Sequence, residues 1–142
     1  MDVLARDVTF AALAQSLDAL SLRQTLIAQN IANVNTPGYK RRDISFTEEL
    51  AAALGPQPDT EGAAATGAAA VPDWAQRVER VMHTVAREVV EENLFYRADM
   101  GGVDLDREMA EQAKSSLMYA AMAQLASKKI QQYRLVIRDG RM

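Results

Sequence analysis

The stretch Ala28-Gln29-Asn30-Ile31-Ala32-Asn33-Val34-Asn35-Thr36-Pro37-Gly38-Tyr39-Lys40 is where a helix stops and the chain turns. Upstream of it, Phe10, Leu13, Leu17, Leu20, Gln24, Ile27, Ile31 and Val34 recur at alternating intervals of three and four, and seven of these eight are apolar. That spacing sets them on one seam of a helix. At its end Asn30, Asn33 and Asn35 bring side chains that compete with helical backbone bonding and tolerate left-handed angles. Pro37 forbids continuation, because it has no amide proton and pushes Thr36 away from helical angles. Pro37 followed by Gly38 is the pairing of a type II turn, with the fixed negative φ first and the positive φ second. A helix with a sharp, rigid exit is written into these residues.

Toward the N-terminus, the helix is expected to begin between Asp2 and Asp7, either of which can cap free amides and favour the positive end of the helix dipole. It should run to about Asn33. Val8, Ala12, Leu22, Leu26 and Ala28 lie off the seam, so its apolar surface is wider than one partner helix covers. Beyond the turn, Lys40, Arg41 and Arg42 form a basic cluster, read as a solvated loop. Arg42-Asp43-Ile44-Ser45-Phe46 alternates like a short strand, and residues 47–54 read as a helix capped by Thr47 and ended by Gly55 and Pro56. Residues 55–72, rich in Gly, Pro and Ala, form a flexible linker. Val78, Val81, Met82, Val85 and Val89 then have helical spacing, with Trp74 and His83 nearby, and predict a helix over residues 74–87.

Met100-Gly101-Gly102 reads as a turn, and Asp104 as the cap of the final helix, with Asp106 and Glu108 placing negative charge in its first turn. That helix should run to about Ile137. Leu117, Met118, Ala121, Met122 and Leu125 form a broad apolar stripe that Ile130, Tyr133 and Ile137 continue. Lys128, Lys129, Arg134 and Arg138 lie toward its negative end, where the dipole favours them.

The helix running into N-I-A-N-V-N-T-P-G-Y-K-R resembles the N-terminal signature of the bacterial flagellar rod and hook family of axial proteins. Val103-Asp104-Leu105-Asp106-Arg107-Glu108-Met109-Ala110, leading into Ser116-Leu117-Met118-Tyr119, is similar to the start of the last helix in proximal rod members of that family. The resemblance covers roughly residues 5–50 and 94–138, and the short chain agrees with it, since hook members carry large inserted domains. It implies N- and C-terminal helices packed side by side. It also implies an extended stretch before the last helix, where Glu88-Val89-Val90-Glu91 through Asn93-Leu94-Phe95-Tyr96-Arg97 reads as strand.

Composition is consistent with this. At 142 residues the chain is the size of one domain. Apolar residues make up 49% but aromatic residues only 6%, a balance that suits helices packed through Leu, Ala, Ile and Met. A net charge of −3 argues against a nucleic-acid binder, which normally presents a basic face. Cysteine is absent, so disulfides and thiolate metal sites are excluded. No apolar run approaches the roughly 20 residues that span a bilayer. Residues 1–7 are acidic and interrupted by charge, unlike a cleavable secretion signal.

Little here could do covalent chemistry. His83 is the only histidine, and Ser115-Ser116 has no neighbouring base that sequence identifies. Asp104 and Asp106 have the spacing of a metal-binding pair, but at a helix start they read as caps. No phosphate loop, dinucleotide fingerprint or zinc spacing is present, so no cofactor, metal or small-molecule substrate is expected.

The expected fold is mainly α: N- and C-terminal helices pair as an antiparallel coiled coil around an irregular, partly disordered central region. Residues 1–54 and 98–142 together form the helical core, and residues 55–97 a linker and central segment. The family resemblance implies a structural, non-enzymatic subunit of the proximal rod of the flagellar basal body, polymerising through its terminal helices into part of the torque-transmitting shaft. The implied partners are other rod and basal-body subunits, copies of the chain itself and the flagellar type III export apparatus. The implied location is the periplasmic rod, reached without a cleaved signal and without membrane insertion. Asn30, Asn33, Thr36, Pro37, Gly38 and Tyr39 carry the motif and turn. Leu13, Leu17, Leu20, Ile27, Ile31, Leu117, Met118, Met122 and Leu125 form the expected assembly seam. The alternatives are another rod subunit of the same family and, in a different class, a cytoplasmic helical adaptor; a small cell-wall hydrolase would need a catalytic acid.

Overall fold

Asp7 opens the first helix by accepting hydrogen bonds from the Thr9 and Phe10 amides at 2.8 and 3.4 Å. The computed structural model describes residues 7–55, 73–91 and 102–139. Within them, helix α1 (Val8–Ala32) is followed by strand β1 (Arg42–Ser45), helix α2 (Thr47–Leu54), helix α3 (Asp73–Met82), strand β2 (Arg87–Val90) and the long helix α4 (Leu105–Asp139). The start at Asp2, the linker over 56–72, the strand reading of residues 93–97 and the turn at residues 100–101 lie outside the described residues.

The two long helices run antiparallel, as the ion pairs between them establish. Asp7 at the start of α1 pairs with Lys129 near the end of α4 at 2.9 Å. Arg23 pairs with Glu111 at 3.3 Å. Asn30 at the end of α1 bonds Glu108 in the first turn of α4 at 3.0 Å. The expected antiparallel pairing of the terminal helices is therefore observed. Small residues at their contact, Ser16, Ala19 and Ser115, are buried, which lets the helices approach closely.

The rest of the chain braces this pair. Strands β1 and β2 form a two-stranded antiparallel sheet, with Arg42 opposite Val90 and Ile44 opposite Glu88. Helix α3 packs on α1 and on α2 through Val78 and Val81, and the Gln15 side chain reaches the Met82 carbonyl at 3.4 Å. The buried apolar core is thus Ala19, Leu26 and Ile27 of α1 with Ala53, Val78, Val81 and Val103. The helix expected over 74–87 stops at Met82, where the Thr84 amide turns back to the Val81 carbonyl at 3.1 Å before the strand begins.

The expected cap of α2 is corrected. Thr47 is the first helical residue, and Phe46 holds the cap position without a side-chain hydrogen bond. Phe46 instead lines an apolar groove with Leu20, Ile44, Leu50, Met118 and Met122. Burying the ring fixes the chain's entry into the helix, and Glu48 and Glu49 supply the favourable charge in its first turn. Among the described residues, no helix is long and apolar enough to cross a membrane.

Candidate functional site at the junction of the terminal helices

The turn after α1 is closed by the Tyr39 amide donating to the Thr36 carbonyl at 3.2 Å, with Gly38 at φ 74°. This is the geometry of a type II turn, in which a side chain at Gly38 would be strained. Asn33 caps the helix: its backbone amide reaches the carbonyls of Gln29 and Asn30, and its side-chain amide donates to Gln29 O at 2.8 Å. Thr36 Oγ1 donates to Asn33 Oδ1 at 3.3 Å. Thr36, Pro37 and Gly38 are exposed.

Asn30 is fully buried and does more than end a helix. Its Nδ2 donates to the Arg42 carbonyl at 2.8 Å and to Glu108 Oε2 at 3.0 Å. Its Oδ1 accepts from the Arg42 amide at 3.0 Å and from the Tyr39 hydroxyl at 3.3 Å. One side chain therefore ties α1, the turn, β1 and α4 together.

Beside it lies a buried ionic knot. The basic cluster was expected to be solvated, and for Arg41 the structure corrects this: the residue is 2% exposed. Its Nε donates to Glu108 Oε1 at 2.5 Å, its Nη1 to Glu91 at 2.8 Å, and its Nη2 pairs with Asp43 at 3.1 Å. Burial works against the charge, but the bond to Glu108 and the charges of Glu108, Asp43 and Glu91 outweigh it, and the guanidinium titrates above its ordinary value. Asp43 is likewise held below the usual carboxylate range. Burial opposes this, but the Ile44 amide, Arg23 and Arg41 outweigh it. Glu108, read only as a first-turn charge, is 0% exposed and spends both carboxylate oxygens on Asn30 and Arg41. A buried arginine needs carboxylates converging on it. Here they come from 2, 50 and 67 residues away, so no local pattern could reveal it.

The junction is completed by backbone pairing. Lys40 bridges Gly102 in parallel fashion, and the Glu91 amide donates to the Arg41 carbonyl at 2.9 Å. Asp104 stands before α4, its carboxylate accepting from the Asp106 amide at 3.0 Å. At the far end of the pair, Asp7 accepts from the Tyr133 hydroxyl and from Lys129, which also lies 5.6 Å from the Tyr133 ring centre. Burial would raise the Asp7 carboxyl, but these bonds and those from the Thr9 and Phe10 amides hold it well below the usual carboxylate range.

The residues of the expected seam divide into two sets. Ile27 is buried within the chain, whereas Leu13, Leu17, Leu20 and Ile31 are half-buried. On α4, Met122 is half-buried, and Leu117, Met118 and Leu125 are exposed, Leu117 by 74%. Leu135 and Val136 extend the exposed row toward the end of the helix, and Ile137, on the other side of α4, is exposed as well. His83 is exposed, and Ser116 Oγ donates to its own helix at Gln112 O. Among the described residues no group of His, Asp or Glu is arranged to hold a metal.

A buried knot that closes two long helices, with apolar side chains left facing outward, defines a helical structural subunit built to pack against neighbours. The model of the flagella basal body rod protein family matches residues 12–40, from within α1 through the turn. A flagellar basal body rod protein FlgB of Salmonella typhimurium is 36% identical over 120 residues, covering 77% of this chain and 80% of the relative. That of Escherichia coli is 33% identical over 141 residues, covering 92% and 95%. A Borrelia hermsii relative of the same name is 58% identical over 38 residues, a match that spans only 28% of that relative's length. The chain belongs to the FlgB family of flagellar basal body rod proteins.

Proposed function

We infer that this chain is a structural subunit of the flagellar basal-body rod, assembling there with other rod subunits into part of the shaft that carries motor torque. The observation that carries the reading is the division of the seam in a chain of this family. One set of apolar residues closes the chain on itself, and a second row, Leu117, Leu125, Leu135 and Val136, is left on α4 for neighbours. Burying such side chains contributes roughly 1.5–3 kcal/mol each, so a shaft can be held without covalent links.

In finer terms, the subunit belongs to the proximal part of the rod and also contacts copies of itself. It is exported through the flagellar type III apparatus without a cleaved signal, works in the periplasm and catalyses no reaction. The terminal segments, residues 1–54 and 98–142, carry assembly. The half-buried Leu13, Leu17, Leu20 and Ile31 and the exposed Leu117, Met118 and Leu125 meet the neighbours, and the turn from Asn30 to Tyr39 sets the direction of the chain beside them.

The test is electron microscopy of envelopes from the source bacterium with the gene deleted, complemented by the wild-type or the Leu117→Asp chain. Basal bodies without rod, hook and filament, restored by wild type and not by Leu117→Asp, are expected. Complete, rotating flagella in the deletion strain would overturn the reading in favour of a helical adaptor.

A further inference from the structure

We propose that the buried Arg41–Glu108 pair is a register key: it selects the one alignment of α1 on α4 in which the outward apolar row has the spacing a neighbouring subunit needs. The significance of that row rests on the function proposed above, whereas the key itself is a property of the single chain.

An apolar seam alone does not fix the alignment. Leu13, Leu20, Ile27 and Val34 stand one heptad apart, so along that run sliding α1 by one heptad replaces one apolar residue with another; in the parallel run Phe10, Leu17, Gln24 and Ile31 only Gln24 breaks the equivalence. On the facing stripe of α4, Ser115, Met122, Ala123 and Ala126 are small or flexible, and the charged Glu111 and Lys129 meet Arg23 and Asp7 in partly exposed pairs that hold the register only weakly. A one-heptad slip moves the two helices by about 10 Å along their axes, and the outward row moves with α4. Chains closed in different registers could not share one regular packing.

The knot discriminates where the seam does not. A slip in one direction brings Ser115 to the level of Asn30 and Arg41, and the guanidinium loses its closest carboxylate. A slip in the other direction carries Glu108 to the level of Arg23, again away from Arg41. Either way Arg41, held by β1 and the turn, is left buried without its main acceptor, and Asn30 loses the Glu108 bond. A buried charge without its partner is strongly disfavoured, whereas apolar replacement of both members removes the penalty and the selection together. The region matched by the family model, residues 12–40, includes Asn30 and the α1 seam from Leu13 onward but neither member of the ion pair.

The full-length chain, which has no cysteine, can be tested directly. Cysteines at the exposed Gln29 and Gln124, outside the knot, carry two spin labels whose separation reports the register by double electron–electron resonance. Wild type should give one narrow distance population. Arg41→Met combined with Glu108→Leu should stay helical by circular dichroism but acquire a second population shifted by up to about 10 Å, one heptad of rise. A single wild-type distance in the double variant would overturn the proposal. Loss of helix in the double variant would overturn it too, since the ions would then hold the fold together rather than choose its register. Because the measurement uses the purified chain, it stands or fails separately from the deletion phenotype in the cell.

Discussion

The side-chain amide of Asn30 pairs with the backbone of Arg42 as a neighbouring strand would, its Nδ2 donating to the carbonyl at 2.8 Å and its Oδ1 accepting from the amide at 3.0 Å. A helix-terminal residue thereby fixes where β1 begins. Asn30→Ala leaves both Arg42 groups and one Glu108 oxygen short of a partner, at about 1–3 kcal/mol for each buried group left unmade. The urea midpoint should fall clearly, and fall further for Asn30→Asp, whose carboxylate would face Glu108. An unchanged midpoint in Asn30→Ala would refute the pinning role.

Glu108 and Arg41 should respond differently to single and double replacement. Glu108→Ala takes the closest of three carboxylates from the buried Arg41 guanidinium and an acceptor from Asn30. Breaking a buried pair typically costs about 3–5 kcal/mol, whereas replacing both ions by apolar residues is often neutral or stabilising. Equilibrium urea unfolding should therefore rank Glu108→Ala well below the Arg41→Met, Glu108→Leu double variant. The reverse order would mean that the pair supplies net stability.

Gly38 isolates the backbone contribution of the turn. A Cβ there meets nothing within 4 Å, so Gly38→Ala is limited by its φ of 74° alone. The expected loss is about 1–2 kcal/mol, and Gly38→Asn should lose less because asparagine tolerates the left-handed region. Thermal unfolding of the two variants checks both the size and the order.

Asp7 links stability to acid. Its carboxyl titrates below the ordinary value of 3.8, so its contribution is complete above that value and is lost as pH falls below it toward the depressed folded value. Asp7→Asn should be less stable than wild type near neutrality, and the gap should close in strong acid. Urea midpoints of both chains measured across the acid range test this, and a gap independent of pH would refute it.

Ile27 and Leu117 separate folding from assembly. Ile27 is 1% exposed, so Ile27→Asp buries an unpaired charge in the core and should abolish the cooperative unfolding transition. Leu117 is 74% exposed, so Leu117→Asp should melt within about 0.5 kcal/mol of wild type. A Leu117→Asp chain as unfolded as Ile27→Asp would show that α4 uses this residue within the subunit.

Much of the fold was legible because its cues are local. The three-four spacing from Phe10 to Val34 sets the face of α1, Asp7 caps it, and Pro37 with Gly38 sets the turn; each acts within a few residues of itself. The Thr47 cap misled because a threonine beside two glutamates looks the same whether or not a phenylalanine before it is drawn into a groove. The break after Met82 was missed because Val85 and Val89 keep helical spacing while standing in a loop and a strand. Alternation and helical period coincide over so short a span.

The sequence by itself thus determined two long amphipathic helices, the abrupt end of the first and an apolar surface too wide for one partner. Only the tertiary structure decided which side chains that partner covers and which charges go inside. Arg41 looks like its neighbours Lys40 and Arg42 until Asp43, Glu91 and Glu108 are folded against it. Periodicity is a short-range property of the chain, whereas the burial of a charge depends on acceptors that the fold brings from 50 and 67 residues away.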